Sequence, residues 1–239
     1  MTGPLLYRQN AYLRTLPAVV LAHEDGGVVL DTPLFYPQGG GQPGDAGALA
    51  WGGATHPVVT TLKGATPAGR VMLAEGAPLP AIGTEVMQTL AWDQRFDHMR
   101  VHTALHLLSV VIPLPVTGGS ISAGKGRLDF DMPEAPENKG ALEAELNALI
   151  ARDLAVSEDW ITEAELAANP GLVKTMSVKP PMGAGRVRLV RIGDGEDLVD
   201  LQPCGGTHVS RTGEIGPVQL GKIEKKGRQN RRVSLLLAH

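Results

Sequence analysis

A single cysteine, Cys204, in a chain of 239 residues excludes an internal disulfide. That agrees with a reducing compartment and leaves one thiolate free for a metal. No apolar run approaches the about 18 residues of a membrane-crossing helix. The opening MTGPLLYRQNAYLRTLPAVVLAHEDG has no basic region ahead of a long apolar stretch, and the apolar residues 16–22 are too few and too late for a signal peptide. A cytoplasmic location is therefore expected. Internal repeats and low-complexity tracts are also missing. What is present, 43% hydrophobic residues and a net charge of −3, describes a soluble globular protein of one or two domains with ample material for a core.

Four potential metal ligands stand in two pairs of equal spacing: His102 and His106 within VHTALHLL, and Cys204 and His208 within PCGGTHVS. The first pair lies in a run, 101–111, rich enough in Ala, Leu and Val to read as a buried helix. Residues four apart on a helix share a face, so both imidazoles can reach one ion. The second pair is set by a turn, because Pro203, Gly205 and Gly206 surround the cysteine. Three imidazoles and one thiolate suit tetrahedral Zn²⁺, with bonds of about 2.0–2.1 Å to nitrogen and about 2.3 Å to sulfur. Fe²⁺ and Cu²⁺ suit them less well. In the H-E-x-x-H of metalloproteases a glutamate is the general base; here Thr103 follows His102, so that base is missing. Four protein ligands would close the coordination shell, whereas three would leave room for water or substrate.

Composition changes near residue 92. Before it, short apolar stretches at 18–22, 28–30, 58–62, 71–74 and 85–91 alternate with Gly, Pro and Asp turns, the pattern of a small β-barrel or sandwich without helices. From Asp93, a plausible N-cap, a helix is expected to about Val111, with Pro113 ending it. Strands should follow over 118–132. A second helix is expected over 137–154, where Leu142, Leu146, Leu149 and Ile150 recur at helical spacing, and Trp160 and Ile161 should lead into a short helix near Glu163. Residues 186–237 read as strands. The expected fold is thus α+β, with residues 1–91 as a glycine-rich β domain and residues 92–239 as a helix-on-sheet domain that owns the whole metal site.

Within the first part, LFYPQGGGQPGDAG at 34–47 carries three consecutive glycines, a loop able to approach another backbone closely. Gly39, Gly41 and Gly44 formally match G-x-G-x-x-G, but Pro43 and the turn-rich sequence after it do not open a helix, which argues against a dinucleotide site. GSISAGKG from Gly119 imitates a phosphate loop, yet Gly126 stands where Ser or Thr would hold Mg²⁺; a hairpin is expected instead.

Taken in order, FYPQGGGQPGD at 35–45, WDQRFDHMRVHTALHLL at 92–108, QPCGGTHVSRTGEIG at 202–216 and KIEKKGRQNRRV at 222–233 resemble the alanyl-tRNA editing proteins of medium length. These are free-standing relatives of the editing domain of alanyl-tRNA synthetase. The resemblance implies a glycine-rich N-terminal barrel and a zinc-bearing editing domain, and an editing factor acting in trans on the acceptor end of tRNA(Ala). The implied reaction is hydrolysis of the ester that joins serine, with glycine as second candidate, to the terminal adenosine. It further implies that His102, His106, Cys204 and His208 hold zinc beside the substrate and that Gln42 approaches the same cavity. Thr103 and Thr207 are candidates for positioning. Family members commonly carry a threonine two residues before the Phe-Tyr pair; this chain has Pro33 there and Thr32 one position earlier. A shift of one residue on a strand reverses the face, so either a bulge lets Thr32 substitute or the serine preference is altered.

The tail supplies the nucleic-acid signal. Lys222, Lys225, Lys226, Arg228, Arg231 and Arg232 stand against only Glu224, on a chain that is acidic as a whole, and such asymmetry can track a phosphate backbone. Arg95 and Arg100, near the first metal pair, could extend the same face. Two other function classes remain open: a non-catalytic tRNA-binding module stapled by a structural zinc, and a zinc hydrolase for a small ester or amide, which leaves the basic tail unexplained.

Overall fold

The computed structural model describes residues 5–175 and 185–238. It divides into two compact units, Met1–Asp97 and His98–His239.

The first unit contains α1 (Leu6–Gln9), β1 (Thr15–Glu24), β2 (Gly27–Leu30), β3 (Gly47–Trp51), β4 (Ala54–Leu62), β5 (Arg70–Leu73) and β6 (Glu85–Leu90), and the six strands close into a barrel in the order β1-β2-β5-β4-β3-β6. This decides between barrel and sandwich. Strict alternation of exposed and buried residues along β6 shows how these strands form, one face lining the core and the other facing solvent. The core holds Val20, Val28, Leu30, Leu34, Phe35, Leu49, Val71 and Val86, each worth about 1.5–3 kcal/mol of transfer free energy when fully buried.

The helix-free expectation fails at α1. Its single turn is held by Leu5 and Leu6 carbonyls and anchored by buried Tyr7, whose hydroxyl donates to Pro67 O at 3.1 Å. One turn is too short for apolar periodicity to reveal. β3 was likewise not anticipated, since its GALAW sequence has only small and intermediate burial contrast.

The glycine loop is a tight reverse turn. Gly39 and Gln42 exchange backbone hydrogen bonds of 3.0 and 2.9 Å across Gly40 and Gly41, whose φ values of 56° and 83° favour glycine. Gly44 meets the second requirement, close approach: a Cβ there would lie 1.9 Å from Thr61 O.

α2 (Trp92–Val111) reaches the second unit from His98 onward and is buried there at every position from Val101 to Ser109, its apolar residues interleaved with buried polar His102, Thr103, His106 and Ser109. Its first turn includes Asp93, which is therefore not the N-cap; the first helical bond runs from Arg95 N to Ala91 O. β7 (Val116–Ser122) and β8 (Lys125–Asp131) form the hairpin expected of the GSISAGKG segment, joined at Gly124 with φ 70°. α3 (Lys139–Ala151) is shorter than the 137–154 expectation at both ends. Asn138 caps it by accepting from Ala141 N, and Asp153 leaves the helix with φ 51°.

β9 (Val156–Thr162) contains Trp160 and Ile161, and Thr162 then begins α4 (Glu163–Ala168) with a capping box to Glu165. β10 (Arg186–Ile192), β11 (Asp200–Pro203), β12 (Val218–Lys225) and β13 (Asn230–Leu237) complete the chain. They are interrupted by short 3₁₀ turns at Gly195–Asp197 and Thr212–Ile215 that the strand reading of 186–237 did not include.

The strands make two antiparallel sheets, β11-β10-β9 and β12-β13-β8-β7. Gly126 of β8 lets α2 pack closely, because a Cβ there would meet Val101 Cγ1 at 2.6 Å. The outer edge of β12 is covered by α3. Asn147 exchanges hydrogen bonds of 2.9 Å with both backbone groups of Val218, and Glu143 accepts from Leu220 N at 2.8 Å. Side chains thereby occupy an edge that would otherwise be open to another strand.

Candidate metal centre

α2 presents His102 and His106 one turn apart, and the turn after β11 presents Cys204 and His208. The four ligand atoms lie within 4.8 Å of one another. Cys204 Sγ is 3.4 Å from His102 Nε2 and 3.3 Å from His208 Nε2. Two ligands on a tetrahedral zinc at the bond lengths given above would be about 3.3–3.6 Å apart. The donor set and its spacing therefore fit a metal ion. The three histidines are 7–8% exposed, so the site is shielded from bulk water.

Two of the three rings, those of His106 and His208, are held from behind. His106 Nδ1 donates to Asp200 Oδ2 at 2.9 Å, leaving Nε2 for the cluster. The Asp200 carboxylate is fully buried, and it also accepts from Lys174 Nζ at 2.6 Å and from Gln202 Nε2 at 2.8 Å. Thr103 Oγ1 donates to Met99 O at 2.9 Å, so its contact with His208 Nδ1 at 3.1 Å must be acceptance of an Nδ1–H. The same oxygen receives Val209 N at 3.3 Å. Such partners select the tautomer and aim the ring. Thr207 is buried within the turn.

The electrostatics set a cationic His106 beside a Cys204 thiolate. Burial opposes charge on His106, but the hydrogen bond to Asp200 and the neighbouring Cys204 outweigh it and push the group up to about 9. Burial also opposes the thiolate, yet His102 and His208 hold Cys204 well below the usual thiol range. Burial and the charge of His102 hold His208 well below the usual imidazole range. Burial raises Asp200, and His106 and Lys174 reverse this and lower it. A thiolate with neutral imidazoles is the form that ligates metal, so binding would release the His106 proton.

Asp200, Gln202, Lys174 and Ser109, which donates to His106 O at 2.7 Å, were not singled out from the sequence. A signal was available. Residues 200, 202 and 204 alternate on β11 and its extension, so Asp200 and Gln202 share the face that leads to Cys204.

Gln42 is buried in the barrel unit. Thr32 follows the end of β2, where the backbone is no longer a strand, so the argument from alternating faces does not govern it. Pro33 cannot donate a hydrogen bond. Instead Gln88 spans it, donating to Thr32 O at 2.8 Å and accepting from Leu34 N at 2.9 Å.

Two of the residues expected to contact nucleic acid are buried. Arg95 is 1% exposed. Its guanidinium is bound to the Asp45 carboxylate, Ala11 O and Leu34 O. Arg231 is buried as well, and its guanidinium donates to the carbonyls of Gly227, Asn230 and Pro133. Arg232 makes a forked pair with Asp129 at 2.8 and 2.9 Å, and Arg100 Nε donates to Ile215 O at 2.9 Å. Lys222, Lys225, Lys226 and Arg228 are all exposed around the β12–β13 hairpin, Lys226 being 3.0 Å from Glu224.

Four residues that could hold a metal ion, in an α+β unit that follows a six-stranded barrel in the chain, define the class of protein. Residues 187–234 match the family model described as the threonyl and alanyl tRNA synthetase second additional domain. The alanine–tRNA ligase of Pyrobaculum calidifontis is 34% identical over 232 residues, which is 92% of this chain. The chain spans about a quarter (25%) of that ligase. The alanyl-tRNA editing protein AlaX-M of Methanosarcina acetivorans is 32% identical over 98% of both chains, and that of Methanosarcina mazei is 32% identical over 95% of this chain and 94% of its own. The chain belongs to the free-standing alanyl-tRNA editing protein family, AlaX.

Proposed function

We propose that this protein is a trans-editing hydrolase that removes serine, with glycine as a second candidate, from mischarged tRNA(Ala) at a zinc-containing site. The observation that carries the reading is the four-ligand cluster in a chain that aligns with the AlaX-M proteins from end to end. The need for such an activity is physical. A pocket shaped for alanine cannot exclude the smaller glycine and rejects serine only weakly, so a second, hydrolytic sieve completes the discrimination.

His102, His106, Cys204 and His208 would hold the ion, and three imidazoles with one thiolate favour Zn²⁺. When bound, zinc can polarise the ester carbonyl, orient the aminoacyl group or activate water. Thr103 and Asp200 keep His208 and His106 in the ligating tautomer. Gln42 and Thr32 are the proposed substrate-side residues, on the strength of the family resemblance. Lys222, Lys225, Lys226 and Arg228 offer phosphate contacts for the acceptor end, and the protein would work in the cytoplasm beside charged tRNA.

One observation favours a second reading. Four protein ligands can close a tetrahedral shell, as in structural zinc sites, and the protein would then be a tRNA-binding module without chemistry. Deacylation of seryl-, glycyl- and alanyl-tRNA(Ala) by zinc-loaded protein separates the two, with a His102→Ala, His106→Ala variant of verified fold as control. Metal-dependent release of serine or glycine with alanine spared is the expected result. Tight tRNA binding with every ester intact would establish the module instead.

A further inference from the structure

The Cys204 ligand sits on the least constrained backbone of the metal centre, because Gly205 and Gly206 follow it directly. Glycine loses more conformational freedom on ordering than any other residue. Something must hold this turn in place before a metal arrives.

Arg188, in the central strand of the β11-β10-β9 sheet, does so from three directions. Its carbonyl accepts from Cys204 N at 3.2 Å. Its Nη1 donates to Cys204 O at 2.8 Å and to Gly206 O at 3.0 Å, so one nitrogen spans the turn. Its Nη2 donates to Glu158 Oε1 at 2.6 Å on the neighbouring strand β9. The side chain is 7% exposed, and its bond to Gly206 O is buried while that to Cys204 O is partly buried. With the carbonyls thus engaged, Gly206 N is turned toward Cys204 Sγ at 3.5 Å, the direction in which an amide supports a thiolate.

We propose that Arg188, held by Glu158, is a positioning residue that pre-forms the Cys204–Gly206 turn and thereby sets metal affinity. The inference rests on the metal reading above and extends it to residues outside the ligand set. A planar fork is required, since a lysine ammonium is a point charge and cannot keep two carbonyls and a carboxylate in one fixed arrangement. The cost of ordering the glycine turn is then met on folding, not on metal binding.

The test uses the full chain and Zn²⁺ and Co²⁺ as probes. Zinc affinity is measured by competition with a metallochromic chelator, and thiolate coordination by the sulfur-to-cobalt charge-transfer band. Arg188→Met is expected to lose about 10–100-fold in zinc affinity, the range typical of groups that orient ligands. Its cobalt band should weaken; the thermal midpoint of the metal-free protein should fall as well, because the two turn carbonyls and Glu158 lose their partner, so affinities are compared at a temperature at which both proteins are folded. Arg188→Lys should recover only part of the affinity, and Glu158→Gln should lose less than either.

Zinc affinity within twofold of wild type and an unchanged cobalt band in Arg188→Met would overturn the clamp. If that variant does not fold, wild-type affinity in both Arg188→Lys and Glu158→Gln overturns it equally. A wild-type protein that takes up neither metal overturns the clamp together with the metal reading on which it rests.

Discussion

Thr103 and His208 are 105 residues apart in the chain, and the threonine hydroxyl lies 3.1 Å from the histidine Nδ1. That contact defines which nitrogen of His208 faces the cluster. Thr103→Val keeps the shape but removes the acceptor, leaving the His208 and Val209 N–H groups unsatisfied at about 1–3 kcal/mol each. Zinc affinity is expected to fall about 10–100-fold, with Thr103→Ser close to wild type. Titration calorimetry checks this, and equal affinities for the Val and Ser variants would show that the contact does not orient the ring.

The second tether concerns Asp200. Asp200→Asn removes the charge that His106 and Lys174 share, and zinc affinity should drop by about tenfold or more. Asp200→Ala goes further, because it strands the His106 Nδ1–H and the Gln202 amide in a buried space. It should also lower the stability of the metal-free protein, by about 1–3 kcal/mol for each unsatisfied group. Chelator competition and urea unfolding of the two variants read the two effects separately.

In the barrel unit, Asp45 and Arg95 are both 1% exposed in their side chains. Removing one partner leaves an uncompensated buried charge. Arg95→Met or Asp45→Ala should cost about 3–5 kcal/mol, whereas the double replacement Arg95→Met, Asp45→Leu should recover a large part of it. Chemical denaturation of the three variants tests this, and single variants as stable as wild type would contradict the pairing.

On the β12–β13 hairpin, the lysines and Arg228 should dominate the salt dependence of tRNA binding. In the variant with Lys225, Lys226 and Arg228 all changed to alanine, the slope of log affinity against log salt should flatten by about 2–3, close to one for each phosphate that is no longer neutralised. Arg231→Ala should act differently, lowering stability through the three carbonyls it leaves behind. An unaltered slope in the triple variant removes the hairpin from the tRNA interface.

The sequence by itself determined what depends on spacing along the chain. His102 and His106 share a helical face because they are four residues apart, and Pro203, Gly205 and Gly206 force a turn between Cys204 and its neighbours. The apolar run of α2, the turn-punctuated strands of the barrel and the ordered motifs of the family were legible for the same reason. Only the tertiary structure decided which partners those groups meet. Asp200 reaches His106 across 94 residues. Arg188 reaches the Cys204 turn from another strand, and no periodicity distinguishes it from Arg186, two residues before it on the same face of β10. Arginine, too, reads the same in sequence whether it is solvated or buried, so Arg95 and Arg231 could be sorted from Lys225 and Arg228 only by their carboxylate and carbonyl partners. Local pattern records the period of a helix or strand; the pairing of buried polar groups is settled by packing between distant segments, where each donor must find an acceptor once water is excluded.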